Sequence, residues 1–466
     1  MRFVHLLLSC TFLFALSQPL LSQLYPYPVT VPPALSGNFG ELRSNHFHSG
    51  IDFKTQQVVN KPIVSIEDGY VSRISVAPGG YGLALYIDHP STGHTSVYAH
   101  LNSFSNKITE WVTEQQYQLE RFQVNLYPGE GTLPVKRGEQ VALSGNTGSS
   151  GGPHLHFEIR DRATQDPLDA LEFLPAIADT RAPDVRGVAF YSFAGKGVVN
   201  GSIQPVRVTV NSDGAGNPLG LGRTINAWGR IGVGVKSYDR MDGQANIYGV
   251  KYVRLYVDDE PVFSSTIRRF SFEETRMLNS FVDFEDWKKR RSFFMKSFLE
   301  PGNTLPFFET KNRGYIDITE ERPYRLRYEL EDHAGNRLTY RFTVNGKKQS
   351  IPQQSPCQNW MAWNLQNSFM EPGFTLHIPI GNLYDDLCFS HEVTESQNQF
   401  SDHHHVHNRP VPLHNRAEMW IGLHTDTLRN KDNYGVVRIN ENGSESWMGG
   451  RYTRGGMTLH LRELGD

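Results

Sequence analysis

The chain has 466 residues, enough for about three domains at the usual length per domain. It is rich in glycine, tyrosine, phenylalanine and threonine and lacks long leucine/alanine/glutamate runs, which favours short strands and turns over a helix bundle. A formal charge of −3 gives no electrostatic reason for a nucleic-acid or anionic-membrane partner.

Arg2 precedes the apolar run FVHLLLSCTFLFAL, and small residues follow at Ala15, Ser17 and Ser22. A positive start, a short apolar core and an AxS-like cut site read as a secretory signal over residues 1–22. The run is too short and too interrupted for a bilayer span, and no later stretch replaces it, so a soluble exported protein is expected. Two cysteines remain after cleavage, Cys357 and Cys388, and an exported chain permits a disulfide between them.

A proline-rich arm, YPYPVTVPP, leads into a first unit over 33–178. There YVSRISV (70–76), LALYIDH (83–89), TSVYAHL (95–101), QVALSG (140–145) and HLHFEIR (154–160) alternate apolar and polar between glycine and proline turns. This predicts a small antiparallel sheet. ITEWVTEQQYQLERF, within 103–125, has helical spacing.

Thr180-Arg181-Ala182-Pro183 marks a boundary, and a second unit follows over 180–348. YVRLYVDDEPVF is expected to fold over Asp258-Asp259-Glu260, and 324–344 reads as a hairpin turning at Ala334-Gly335-Asn336. An immunoglobulin-like β-sandwich is expected, with an inserted helix near 271–291. There the Lys288–Arg291 run reads as a solvated face, and Asp332 as a turn residue. After the linker-like 347–356 comes a third, β-rich unit over 357–466. It stops abruptly after MTLHLREL, which leaves room for a further strand. Its DHHHVHN run (402–408) reads as an exposed loop taking metal only adventitiously.

The chemistry concentrates in GNTGSSGGPHLHFEIRD (145–161). A phosphate loop would need a lysine after its glycines, and a dinucleotide fingerprint would need a helix after them. Neither follows here. In a strand, His154 and His156 project from one face, with Leu155 and Phe157 on the other. Such a pair also occurs on ordinary sheet surfaces, so further ligands are required. NHFHSGIDF (45–53) offers them: a turn through Gly50 can bring His48 and Asp52 to one point. Nitrogen and oxygen donors of this kind suit zinc, and His48, Asp52 and His156 would make three ligands with His154 beside them. His46 is the rival to His48. In VYAHL, Tyr98 and His100 are expected on one face, and His100 could reach the site.

HSGID, YAHL and GNTGSSGGPHLHFEIRD, in that order, resemble the lysostaphin-type (LytM-like) zinc metallopeptidases, over about residues 35–175. The resemblance implies peptidoglycan cross-link peptides as substrate, Zn2+ held by His48, Asp52 and His156, and His100 and His154 as catalytic histidines. It also implies action in the periplasm or at the cell surface. Gly145, Gly148, Gly151 and Gly152 would let the loop approach closely and leave room for a side-chain-poor peptide. The 103–125 insertion would lie at the cleft rim. The terminal β units would reach a wall or envelope partner. Some relatives have lost ligands and only regulate other wall enzymes, so a non-catalytic wall-binding or amidase-activating role is the alternative, although all five positions are kept here. An occluding arm, or a fourth ligand such as Asn45, would signal latency.

Overall fold

The structure is a computed structural model that describes residues 25–396, 399–440 and 442–465, so the signal-like residues 1–22 lie outside the described part. It is mainly β.

The first unit is an antiparallel sheet in the order Leu35–Gly37, Ile51–Lys54, His154–Asp161, His94–Leu101, Leu83–His89, Gly69–Val76, Val124–Leu126. The strand carrying His154 and His156 is therefore flanked on both sides, and Asp52 and Ala99 stand directly opposite His156. Alternation sends Ile51, Phe53, Leu155 and Phe157 to the opposite face, where all four are fully buried. Phe157 meets Phe53 and Tyr98 there at ring-centroid distances of 6.2 and 5.4 Å. The predicted insertion is the helix Asn106–Leu119, which buries only Ile108 and Val112. The proline-rich arm docks by Tyr25 and Tyr27: Tyr25 Oη lies 2.7 Å from His94 Nδ1, and Tyr27 Oη donates to Pro175 O. His94 opens the strand that ends at Leu101, so the arm is anchored at the end far from His100.

The second unit has two antiparallel halves. One pairs Asp184–Val199 with Val206–Thr209 and Asn226–Tyr238; the other joins Arg337–Gly346, Pro323–Glu331, Tyr252–Val257, Glu260–Thr266 and Phe308–Thr310. A short parallel pairing of Asn226 and Ala227 with Asn345 and Gly346 links them into one sheet. Asp258 and Asp259 form the tight turn at φ 49° and 68°, as a two-residue hairpin of the right twist requires. The inserted helix is split into Leu278–Phe281 and Phe284–Arg290. In its basic run Lys289, Arg290 and Arg291 are exposed as expected, paired along the helix with Glu285, Asp286 and Trp287, whereas Lys288 is turned to the third unit, its Nζ donating to Glu463 Oε1 at 2.7 Å. The first two units share one core, in which Phe47 packs on Phe270, Phe281 and Phe307.

The third unit has its own core around Phe374, Leu376, Leu413 and Leu459. Its main sheet is built on Phe374–Ile378, Val411–Gly422 and Gly456–Leu464. Cys357 and Cys388 are disulfide-bonded. The histidine run is not a loop: His403–Val406 is a strand paired with His391–Thr394.

Candidate metal centre

His48, Asp52 and His156 converge. His48 Nε2 is 3.2 Å from Asp52 Oδ1 and 3.1 Å from His156 Nδ1, and His156 Nδ1 is 3.0 Å from the same Asp52 oxygen. All three residues are buried. Ligand atoms at about 2.0–2.1 Å from a tetrahedral zinc stand roughly 3.3–3.4 Å apart, so this triangle is the size of one face of such a site. The hydrogen bonds on the far sides of the rings agree. His48 Nδ1 lies 2.8 Å from Asn38 O, which can only accept, so Nδ1 carries the proton and Nε2 offers its lone pair inward. His156 Nε2 donates to Glu158 Oε1 at 2.9 Å, which leaves Nδ1 free in the same way. Two nitrogens and one carboxylate oxygen, each with a lone pair aimed at one point, fit zinc.

His46 stays out. It is exposed, with Nδ1 bound to Ser44 O. Asn45 also turns away: its Oδ1 accepts from Asn279 in the second unit, so it is not a fourth ligand.

His154 and His100 line the same side. His154 Nε2 is 3.6 Å from Asp52 Oδ1, and the His100 and His154 rings are 4.8 Å apart. His100 reaches this position against the strand alternation. Tyr98 packs on Phe157 in the core, so strict alternation would send His100 there too. Instead, His100 has φ 58° at a bulge and is turned over to the His156 side. The expectation that Tyr98 and His100 share a face is therefore corrected, for a left-handed residue breaks the period of two. His100 Nδ1 donates to Thr147 O at 2.9 Å and His154 Nδ1 to Gly152 O at 2.8 Å, so each ring keeps an unprotonated Nε2. Burial, helped by His154 and His156, depresses the His100 imidazole to about 4, so it is neutral at pH 7.

The glycine loop places both carbonyls. A Cβ at Gly145 would fall 2.4 Å from Asn102 N and 2.7 Å from His100 O, and Gly148 is left-handed at φ 73° with Gly80 O 2.4 Å from any Cβ. At Gly151 and Gly152 a Cβ would meet nothing within 4 Å. The first two glycines permit contact and the second two leave space.

One layer behind the ligands went unread in the sequence. Glu158, fully buried, accepts from His156, from Ser49 Oγ at 2.7 Å, from Tyr81 Oη at 2.5 Å and from Arg160 Nε at 2.5 Å. Burial opposes its charge, but Arg160 and His156 outweigh that and hold its carboxyl well below the usual range. The signal was present in HLHFEIR, because Glu158 and Arg160 continue the face of His154 and His156. Asp52 has a second anchor too: its Oδ2 takes Arg43 Nη2 at 3.3 Å.

Known proteins match in two places. Residues 46–117 match peptidase family M23, a span that holds His48, Asp52 and His100 and stops inside the 106–119 helix. Residues 358–466 match the Zu5-like domain. Among curated relatives, an uncharacterized metalloprotease of Haemophilus influenzae is 32% identical over 112 residues, 24% of this chain and 18% of that protein. The DD-carboxypeptidase/endopeptidase Mpg of Neisseria meningitidis is 33% identical over 119 residues, 26% and 21%. The peptidoglycan DD-endopeptidase ShyB of Vibrio cholerae is 35% identical over 127 residues, 27% and 22%. The chain thus spans about a fifth of the length of these relatives. Among solved structures, a zinc-containing peptidase from Vibrio cholerae is 28% identical with a TM-score of 0.24, covering 34% of this chain and 41% of that one. The lysostaphin catalytic domain from Staphylococcus simulans is 21% identical with a TM-score of 0.24, covering 31% and 93%. The stretch that brings His48, Asp52 and His100 to the site thus matches peptidase family M23, and His154 and His156 lie beyond the matched residues.

Proposed function

We propose that this protein is an exported zinc endopeptidase that hydrolyses the peptide cross-links of peptidoglycan. The observation that carries the reading is the convergence of His48 Nε2, Asp52 Oδ1 and His156 Nδ1, each presenting a lone pair to one point. The substrate class follows the names of the relatives from Neisseria meningitidis and Vibrio cholerae.

Zinc held by His48, Asp52 and His156 would supply Lewis-acid polarisation of the scissile carbonyl and acidify a water toward a pKa of about 7. The remaining chemistry belongs to the chain. Thr147 O and Gly152 O orient the His100 and His154 rings so that both Nε2 atoms are proton acceptors. One of these imidazoles removes the proton from the attacking water. That same proton is then passed to the leaving amine, and the imidazolium formed in between stabilises the oxyanion, while the second imidazole remains an acceptor at Nε2 that helps to hold the attacking water. Glu158 accepts from His156 Nε2 and so fixes the neutral tautomer whose Nδ1 lone pair faces the metal position. The open side of Gly151 and Gly152 suits an extended peptide of small residues.

We read the signal-like N-terminus as export to the periplasm or cell surface. The second unit is in this reading an immunoglobulin-like sandwich, and the second and third units are the route to a wall or envelope partner. Among the described residues, no helix is long and apolar enough to cross a membrane. A purely regulatory, amidase-activating role would leave His100 and His154 without work, and both are kept in position.

Digestion of purified peptidoglycan, with released muropeptides identified by mass, tests the proposal. Cross-linked dimers should become monomers, chelation should stop the reaction, zinc should restore it, and His154→Ala should lack it. Digestion that ignores both the chelator and His154→Ala would sink the enzyme reading. Stimulation of a separate amidase without hydrolysis would establish the regulator instead.

A further inference from the structure

A second group of carboxylates lies outside the metal centre. Asp179 is in the segment between the first and second units, Asp239 immediately follows the strand Asn226–Tyr238, and Asp332 immediately follows Pro323–Glu331. Their carboxylate oxygens lie within 4.8 Å of one another. Asp239 is only 5% exposed and Asp332 2%, and Asp239 Oδ1 has no hydrogen-bond partner at all. A buried carboxylate oxygen without a donor is costly, and two like charges beside it add to the cost. Burial, then Asp332, push the Asp239 carboxyl up to about 8, and the Arg240 backbone N–H and the more distant Arg181 only partly offset them. Three of the other oxygens are held by neutral donors. Asp332 takes the Asn336 backbone N–H at 2.9 Å and its Nδ2 at 2.8 Å, and Asp179 Oδ1 takes the N–H of Asp242 at 3.0 Å. The cluster is held together instead of splaying into solvent.

An all-oxygen, buried, anionic set suits a hard cation, and calcium accepts the irregular six-to-eight-fold oxygen geometry that strand ends and a linker can provide. We propose that Asp179, Asp239 and Asp332 bind one calcium ion that clamps the inter-unit segment onto the second unit and steadies the loop orienting His48. The path is continuous. Asp239 and Tyr248 exchange both backbone hydrogen bonds, Tyr248 Oη donates to Leu35 O, and Gly249 N donates to Asn38 Oδ1 at 2.9 Å. Asn38 Nδ2 returns a bond to Gly249 O at 2.8 Å, while Asn38 O holds His48 Nδ1. Only the last step, toward His48, rests on the zinc reading. Calcium binding at the aspartates does not.

The test uses the full chain, stripped of metal on a chelating resin, reloaded with one equivalent of zinc and titrated with calcium chloride or magnesium chloride. Calcium should raise the thermal midpoint by about 5 °C and leave one calcium per chain after gel filtration. It should also slow proteolysis within 175–183. Asp239→Asn should lose the calcium-dependent rise while keeping its zinc content and a midpoint no lower than that of the calcium-free wild type. Asp332→Asn should lose the rise as well. The proposal is overturned if wild-type protein shows neither bound calcium nor a shift, which would leave a shared proton as the occupant. It is also overturned if the shift survives in both variants, or if magnesium reproduces it in full. Since metal content and melting are read without substrate, failure of the peptidase reading leaves this result interpretable.

Discussion

The densest run of histidines and the histidines that converge lie in different units of this protein. His403, His404, His405 and His407 crowd one strand and its end, yet alternation turns neighbours to opposite faces. His404 meets another imidazole, His391 Nε2 at 3.1 Å, and Phe374 lies against both rings. Glu371 touches His391 from the other side. Among the described residues, no third donor completes a metal-sized group there. At the candidate metal centre the donors are 108 residues apart at the extremes: His48 and Asp52 come from one turn and the strand it enters, and His156 from the strand paired with it. What makes a metal site is separate backbone paths aimed at one point, with acceptors behind each ring to set its tautomer. Histidine count does not.

The largest expected effect breaks that contrast if it fails. Asp52→Ala or His156→Ala should abolish zinc retention and lower peptidoglycan hydrolysis by at least ~1000-fold, measured by metal analysis and muropeptide release. The double change His403→Ala/His405→Ala should leave the zinc content unchanged, and zinc lost there would reverse the assignment of the two regions. A smaller effect is expected one layer out. Glu158→Gln keeps an acceptor for His156 but leaves the Arg160 guanidinium, itself only 6% exposed, without its counter-charge. Zinc affinity should fall about 10–100-fold in chelator competition, and urea unfolding should show a loss of about 3–5 kcal/mol. Unchanged values in both measurements would remove Glu158 from the supporting network.

The smallest effect concerns pH. Burial, then the neighbouring His391, lower the His404 imidazole from 6.5 to about 4. Above pH 6.5 neither the folded nor the unfolded chain protonates this ring. As pH falls from there toward 4, the unfolded chain gains the proton first, so stability declines over that window and levels off below it. Thermal unfolding of the third unit should show this decline, and His404→Gln should flatten it. An equally steep decline in the variant would place the titration elsewhere.

The strands of the first unit were legible because one face of each is apolar: the Leu83–His89 strand matches its alternating run residue for residue, and His154 and His156, with Leu155 and Phe157 on the other face, point as the period of two requires. The hairpin at 324–344 was legible from its turn residues. His100 was legible as a chemical group but not in its direction, because a bulge with a left-handed residue leaves no mark in a hydrophobic pattern. Asp332 was legible as a turn residue and does bind the Asn336 N–H, but its part in the carboxylate cluster depends on Asp179 and Asp239, far away in the chain. Lys288 reads as solvated until Glu463 arrives beside it.

By itself, the sequence determined which side chains share a strand face, where the hairpins turn and which donors a metal could use, since these are local consequences of backbone period and residue chemistry. Only the tertiary structure decided that His48 and not His46 faces inward, that His100 is turned over to join His154, and that Asp179, Asp239 and Asp332 meet. Those outcomes depend on contacts between segments tens to hundreds of residues apart, where cross-strand register and burial set the direction of each group and no local pattern carries the information.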